Sequence, residues 1–278
     1  MRIIDARSRP PIGAFLGDKT YARLDGTVAN VRARGWEPAP SLEQRSLDLF
    51  WEETAAARIQ LAGVPARVPN RWWGGAGNDP VLEACAADER LFAYAALNPY
   101  DDPDAAGSVA GLTALGALGI VVEPGIADEP AYVDDPRIDD LCEACLAAGV
   151  PLLIMAGGEA GPDLSFCDPI RLDRLAVRHP ELPIVNVHGG WPYVQEALGV
   201  AFRRRNVWYL GDVYFPNLPG EADVVLAMRT FLQDRFLFST GYPFCPLKAT
   251  VDRYLSFGLD DTVLEKVMGL NAARLFGL

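Results

Sequence analysis

Pro183-Ile184-Val185-Asn186-Val187-His188-Gly189-Gly190 is the stretch on which the fold turns. A proline opens it, β-branched residues fill it, and a histidine followed by two glycines closes it. β-Branched side chains suit an extended backbone, and the glycine pair breaks regular structure, so the segment predicts a strand that ends at His188. The run is apolar with almost no polar alternation, as in a parallel strand covered on both faces. Working outward, comparable runs lie at 2–6, 58–61, 91–97, 119–123, 151–155, 207–213 and 236–239, which with 183–188 makes eight. From the second run onward they recur every 24 to 33 residues, the length of one strand–helix unit. Amphipathic segments at 79–87, 136–148, 168–178 and 193–202 fill the intervals. The pattern predicts a (β/α)8 TIM barrel forming one domain over 1–278. An open doubly wound sheet is the alternative, but no Gly-x-Gly-x-x-Gly follows the first run.

The first interval breaks the period. Between 6 and 58 the chain carries Pro10, Pro11, Pro38 and Pro40 with Gly13, Gly17, Gly26 and Gly35. This predicts a long loop insertion after strand one rather than a helix, placed to cover a site at the barrel mouth. A plain solvent loop is the other reading of the same residues.

Composition bounds the rest. The 278 residues include 25 Lys+Arg against 37 Asp+Glu, a net charge of −12, which disfavours phosphate backbones and argues against nucleic acid as a partner. No apolar run approaches the roughly 18 residues that cross a bilayer. Met1-Arg2-Ile3-Ile4-Asp5 meets an acid at once, unlike a signal peptide, so a cytoplasmic protein without membrane contact is expected. Five cysteines, an odd number, point to reduced thiols, and Cys142 and Cys145 sit in a helical pattern as small buried side chains. Only two histidines exist, His179 and His188, so no site can hold three or four imidazoles.

A barrel carries its chemistry at the C-terminal ends of its strands. Those ends hold Arg7 and Arg9, then Glu123, Met155, His188, Asp212, and Thr240-Gly241-Tyr242. Arg7 and Arg9 are two apart on an extended segment and share a side, so they form either a cationic clamp for a carboxylate or phosphate, or ion pairs with acids. His188 is either a general acid/base or a satisfied core histidine. His179 precedes a strand and falls on the opposite rim. Glu123 and Asp212 are each either a base, an orienter of His188, or an arginine partner; Glu123 is expected to pair with Arg7 or Arg9, since an unpaired buried carboxylate is costly. Cys245 is expected to pack rather than react. Trp73, Trp191, Tyr214 and Tyr242 are expected to line the pocket, Tyr242 as a hydrogen-bond donor, within a rim that also has Trp72, Tyr193, Phe215 and Phe244.

Four of these motifs, in order, resemble the amidohydrolase-related family, the branch that contains decarboxylases and lactonases. Ile3-Ile4-Asp5-Ala6-Arg7-Ser8-Arg9 resembles its Ile-Ile-Asp-x-His-x-His, and His188-Gly189-Gly190 resembles its strand-six histidine and glycines. Ser239-Thr240-Gly241-Tyr242-Pro243 resembles its Gly-Ser-Asp-Tyr-Pro, and Asn271-Ala272-Ala273-Arg274-Leu275 its final helix. Where the family's metal-using members place two strand-one histidines, a strand-five histidine and a strand-eight aspartate, this chain has Arg7, Arg9, Met155 and Gly241. A guanidinium has no lone pair to offer a cation. The resemblance with these replacements implies a metal-independent enzyme that needs no cofactor. It would act on a small anionic, carboxylate-bearing, aromatic or lactone substrate. Arg7 and Arg9 would bind the anion, His188 would move protons, and Glu123 or Asp212 would assist. Lactone or ester hydrolysis is the leading expectation, decarboxylation or another carbon–carbon lyase or isomerase reaction the alternative, and a non-catalytic ligand-binding pseudoenzyme the reading from outside enzymology. The resemblance also implies a homo-oligomer.

Overall fold

Eight parallel strands form one sheet in the order β1 to β8 in the computed structural model, which describes all residues 1–278. They are β1 (Ile3–Asp5), β2 (Ile59–Pro65), β3 (Leu91–Ala96), β4 (Ala117–Val122), β5 (Leu152–Met155), β6 (Ile184–Val187), β7 (Val207–Gly211) and β8 (Phe236–Phe238). The ring is joined between its first and last strands. Ala6 N–H donates to Phe238 O at 2.9 Å, Gly241 N–H to Arg7 O at 3.0 Å, and Ser8 pairs with Tyr242 in a parallel bridge. The chain is a single-domain TIM barrel, as the repeat of apolar runs predicts. Seven of the eight strands fall within about three residues of their expected bounds. β2 is the exception, running four residues past Leu61 to Pro65. Gly63 and Pro65 look like turn residues, but Gly63 serves a close approach. A Cβ there would meet Ala6 O at 2.7 Å and Tyr94 Oη at 2.8 Å.

The segment between β1 and β2 corrects a second expectation. It is an insertion, but a helical one: a 3-10 turn at Gly13–Phe15, then α1 (Lys19–Ala22), α2 (Leu24–Ala33), α3 (Pro40–Gln44) and α4 (Leu47–Ala57). The prolines mark boundaries, with Pro40 at the first turn of α3, where its missing N–H costs nothing. Gly26 lies inside α2 and does not stop it.

Two apolar cores result. The larger lies between the strands and the outer helices. The smaller fills the barrel with Ile4, Phe92, Tyr94, Val121, Leu153, Met155, Val185, Val187, Leu210 and Leu237, and is stoppered at the bottom by Ala272 and Phe276. A filled barrel leaves the C-terminal mouth as the place for a ligand. No helix is long and apolar enough to cross a membrane. All five cysteines are free; burial pushes the Cys145 and Cys245 thiols up to about 12, so neither is a thiolate near neutrality.

Candidate active site

A cleft with about 590 Å³ of space, part of it open to solvent, lies at the C-terminal mouth. Arg7, Arg9, Glu123, Met155 and His188 reach it from strand ends, Arg67 from just beyond β2, and Tyr214 and Phe244 from the loops after β7 and β8. Thr20, Asn30 and Arg34 come down from the helical insertion, so the insertion does cover the site.

On one side the cavity holds an oriented histidine. β6 delivers His188 at its end, where the backbone turns into the left-handed region at φ 70°, a conformation that costs a residue with a Cβ on the order of 1 kcal/mol. Gly189 and Gly190 follow at φ 60° and 68°, and a Cβ on Gly189 would collide with the Tyr209 ring, which explains the glycine. His188 Nδ1 donates to Asp212 Oδ1 at 2.8 Å. The other carboxylate oxygen, Oδ2, lies 3.1 Å from Arg7 Nη1, a close ion pair without the angle of a hydrogen bond. Asp212 is 1% exposed and does not reach the cavity surface. Burial alone would raise its pKa, but His188 and Arg7 hold it below the usual carboxylate value. Burial in turn lowers the His188 pKa below 6.5; the Asp212 charge opposes this and Arg7 reinforces it. The imidazole is therefore neutral at pH 7. With Nδ1 committed to Asp212, the nitrogen left facing the cavity is a free lone pair on Nε2.

The opposite side holds a different charge arrangement. Arg67 grips Glu123 with two parallel bonds, Nε to Oε2 at 2.7 Å and Nη2 to Oε1 at 2.8 Å. Burial would raise Glu123, but Arg67 outweighs it and holds the carboxyl at about 2. Arg7 and Arg9 were the expected partners of Glu123; both act on it only through space. Arg9 is 5% exposed, and its Nε and Nη2 have no hydrogen-bond partner. Burial and the neighbouring Arg67 and Arg7 charges disfavour its cation. An arginine does not deprotonate to escape that cost, so the arrangement favours an incoming anion.

Trp73, Tyr214 and Phe244 supply the aromatic wall. Tyr214 is set edge-on to His188 at 5.4 Å between ring centroids and stacks on Trp191 at 5.4 Å and 11°. Trp191 thus backs the wall instead of lining it, contrary to expectation, because the Tyr214 ring lies between it and the cavity. Tyr242 is also displaced from its expected place. It is 1% exposed and packs on Phe50, and its hydroxyl shares a 2.7 Å hydrogen bond with Ser41 Oγ. Its neighbour Gly241 sits at φ 59°, where a Cβ would lie 2.5 Å from Val213 Cγ1 and 3.1 Å from Asp212 Cβ. An aspartate could not be restored there without moving the β7 loop. His179 lies away from the cavity, on Asp139.

These residues do not fit a divalent cation. His188 Nδ1 and Asp212 Oδ1 are committed to each other, Glu123 is committed to Arg67, and no group of three His, Cys, Asp or Glu side chains converges as a ligand set. Arg7 and Arg9 project where a cation's ligands would come from, and like charge repels it.

Arg67, Arg34, Asn30 and Thr20 line the cavity without having been singled out in the sequence. Arg67 carried a usable signal. Once β2 is extended to Pro65, it stands two residues past a strand end, as Arg7 does after β1. The other three lie in the aperiodic insertion, where no strand spacing applies.

The protein-family model described as Amidohydrolase matches residues 4–278. The crystal structure of an uncharacterized TIM-barrel protein, Bb4693, from Bordetella bronchiseptica is similar at 37% identity and a TM-score of 0.94, covering 100% of this chain and 99% of that one. The 5-carboxyvanillate decarboxylase LigW from Sphingomonas paucimobilis has a TM-score of 0.67 at 20% identity, covering 100% and 99%. A 5-carboxyvanillate decarboxylase from Novosphingobium aromaticivorans DSM 12444, complexed with manganese, has a TM-score of 0.66 at 17% identity, covering 100% and 96%. The last two likenesses show the shared barrel. No curated protein sequence matches the chain.

Proposed function

The chain belongs to the amidohydrolase family, and from that premise we propose that it is a metal-independent acid–base enzyme that cleaves a carbon–carbon bond of a small, planar, hydroxylated carboxylic acid by decarboxylation. The observation that carries the reading is His188, oriented from behind by Asp212, facing the same cavity as the unpartnered Arg9. A non-catalytic binding protein would need the anion site but not a buried carboxylate spent on orienting a neutral imidazole. Barrels of this shape include decarboxylases of aromatic acids.

One base suffices for the proton traffic. Neutral His188 Nε2 takes the proton from a substrate hydroxyl, and Asp212 stabilises the imidazolium formed. The same proton is then placed on the carbon bearing the carboxylate. The carbon–carbon bond breaks, CO2 leaves, and its electron pair returns to the ring and the phenolate oxygen. Overall, the hydroxyl proton has moved to carbon and one CO2 is lost. The arginines stabilise the negative charge that collects on oxygen. An arginine gripping the departing carboxylate would oppose its loss, so the guanidiniums are assigned to the oxygen that receives charge or to a spectator acid.

Lactone hydrolysis is the second reading, and the neutral Nε2 favours it specifically, because a lone pair of that kind also draws a proton from water. Hydroxybenzoates and carboxylated lactones incubated with the enzyme in D2O or H2¹⁸O separate the two. Decarboxylation gives CO2 and deuterium on the ring carbon, whereas hydrolysis puts ¹⁸O into the product carboxylate. Turnover of lactones alone would overturn the primary reading, and turnover of neither class would overturn both.

A further inference from the structure

On the flank of the barrel, the helices after β6 (Val194–Arg203) and β7 (Glu221–Arg229) leave an uncovered groove between them, lined mostly by apolar residues. Phe202 on the first helix is 62% exposed and Leu226 on the second 60%, two of the three most exposed large apolar side chains in the chain. Phe202 meets the Phe231 ring edge-on at 5.2 Å and forms a knob at one end of the groove. The other end, between Gln195, Leu198 and Asp223, lies open. Between the two ends is Gly199, inside the helix, where a Cβ would meet nothing within 4 Å. Glycine is a poor helix former, and no close contact within the chain requires one here; what it permits is the near approach of a second backbone.

Charge on the same face is balanced and symmetric about that glycine. Glu196 and Arg203 are both exposed. Seven residues apart, they project from one side of the helix and are separated by about 10 Å along it, with Gly199 midway. Arg203 lies 3.6 Å from Asp173, which Arg204 already holds at 2.6 Å. A two-fold axis crossing the helix at Gly199 lays the helix antiparallel on a copy of itself. Each Glu196 then faces the other copy's Arg203, and each Phe202 enters the open end of the other copy's groove.

We propose that this face is the contact of a homodimer, with Gly199 at the two-fold axis, Phe202 as the knob and Glu196–Arg203 as the ion pair repeated on either side. The knob, the hole and the two charges lie on one surface and are matched by a single rotation, which is what a surface that meets its own copy requires. The layout is that of a protein interface, with aromatic and apolar groups at the centre and charge at the rim. None of the groove residues lines the cleft at the barrel mouth, so both sites of the dimer stay open.

Sedimentation equilibrium of the full chain tests the contact. At about 100 µM the wild type is expected at twice the chain mass. Gly199→Arg, whose new side chain starts in open space on its own chain, is expected to weaken the dimer about 100-fold or more, with the far-UV circular dichroism of a folded barrel. Leu226→Gln, at an exposed position, gives a second disruption of about 10-fold. Glu196→Arg and Arg203→Glu each bring like charges together twice and are expected to weaken the dimer about 10-fold. An equimolar mixture of those two variants is expected to return to within about 3-fold of the wild-type affinity, because the mixed pair matches opposite charges at both contacts. A wild type that is monomeric at that concentration, or a dimer left intact by folded Gly199→Arg and Leu226→Gln, overturns the face. A mixture that associates no more tightly than either charge variant alone overturns the antiparallel contact.

Discussion

Glu123 and Asp212 stand at the ends of β4 and β7, on two sides of one mouth, and the contrast between them explains how the site divides its work. Both are buried carboxylates beside an arginine. Glu123 spends both oxygens on a single bidentate partner and is held at about 2. Asp212 gives one oxygen to His188 and keeps the other near Arg7. Saturating a carboxylate with one fork makes a rigid wall. Sharing it between an imidazole and a guanidinium makes a proton-handling unit whose charge alters when the imidazole does. Under the proposed function the β4 side would bind and the β7 side would carry the chemistry.

The largest effect that would break this division is at His188. On whichever acid the enzyme turns over, His188→Gln is expected to lower kcat about 1,000-fold or more, with binding of that same acid measured by calorimetry nearly retained. A variant that still turns over at a tenth of the wild-type rate would move catalysis elsewhere. Asp212→Asn comes next, with kcat falling about 100- to 10,000-fold through loss of the ring's orientation. The sign of its pH effect follows from burial. His188 already has a lowered pKa, so activity is present at neutral pH and is lost on an acid limb below 6.5. Asp212 is the group that opposes the lowering, so its neutral replacement is expected to shift that limb to still lower pH. An upward shift would mean that Asp212 does not act on the imidazole.

Glu123→Gln sharpens the comparison from the other side. It leaves Arg67 buried beside a neutral partner, which costs about 3–5 kcal/mol and lowers Tm by roughly 10 °C. Replacing both partners by apolar residues, as in Arg67→Met with Glu123→Leu, is expected to recover part of that loss. The pair also fixes an acid dependence. The folded carboxyl at about 2 lies below its usual value of 4.5, so its stabilisation is complete above that value and is lost as pH falls toward 2. A kcat loss in Glu123→Gln with Tm unchanged would return Glu123 to the catalytic role that its strand-end position suggests.

Much of this site was legible in the sequence because a barrel converts strand ends into a map of the mouth. Arg7, Arg9, Glu123, Asp212 and His188 each follow an apolar run, and the ends of those runs were placed within a few residues. Arg67 was missed for a local reason. Gly63 and Pro65 imitate a turn, so the apolar run reads as ending at Leu61 and the cation six residues further on falls outside the strand-end pattern. The true partner of Glu123 was lost with it. Trp191 and Tyr242 show a different limit. Position along the chain put both near the rim, but which face an aromatic turns is decided by its neighbours, here Tyr214 in front of Trp191 and Ser41 beneath Tyr242. The insertion was legible as a cover but not as helices, since its glycines and prolines lie at helix ends or are tolerated inside them. Arg34 and Asn30 therefore emerge only in three dimensions.

The smallest expected effect concerns a third buried carboxylate, which neither wall uses. Asp5 accepts from Arg7 N–H at 3.1 Å, Thr240 N–H at 3.0 Å and Thr240 Oγ1 at 2.5 Å, tying β1 to the turn after β8. Burial outweighs those donors and raises it to about 6, above its usual 3.8. Between those values the folded chain holds a proton that the unfolded chain has released. The contribution of Asp5 is therefore largest in acid and declines as pH rises from about 4 to 6, the reverse of Glu123. Asp5→Asn keeps an acceptor for the two backbone donors and removes the buried charge. Against this, its amide must donate where Asp5 accepted from the Thr240 hydroxyl, which is left without an acceptor. The gain should thus be smaller than the two-unit displacement implies, on the order of 1 kcal/mol at pH 8 and absent at pH 4. Denaturant titrations of the wild type and Asp5→Asn at those two pH values check it. A loss of stability at pH 8 would mean that the ionised carboxylate is needed as a latch, and that the closure of the barrel, like the Glu123 wall, depends on charge held in place.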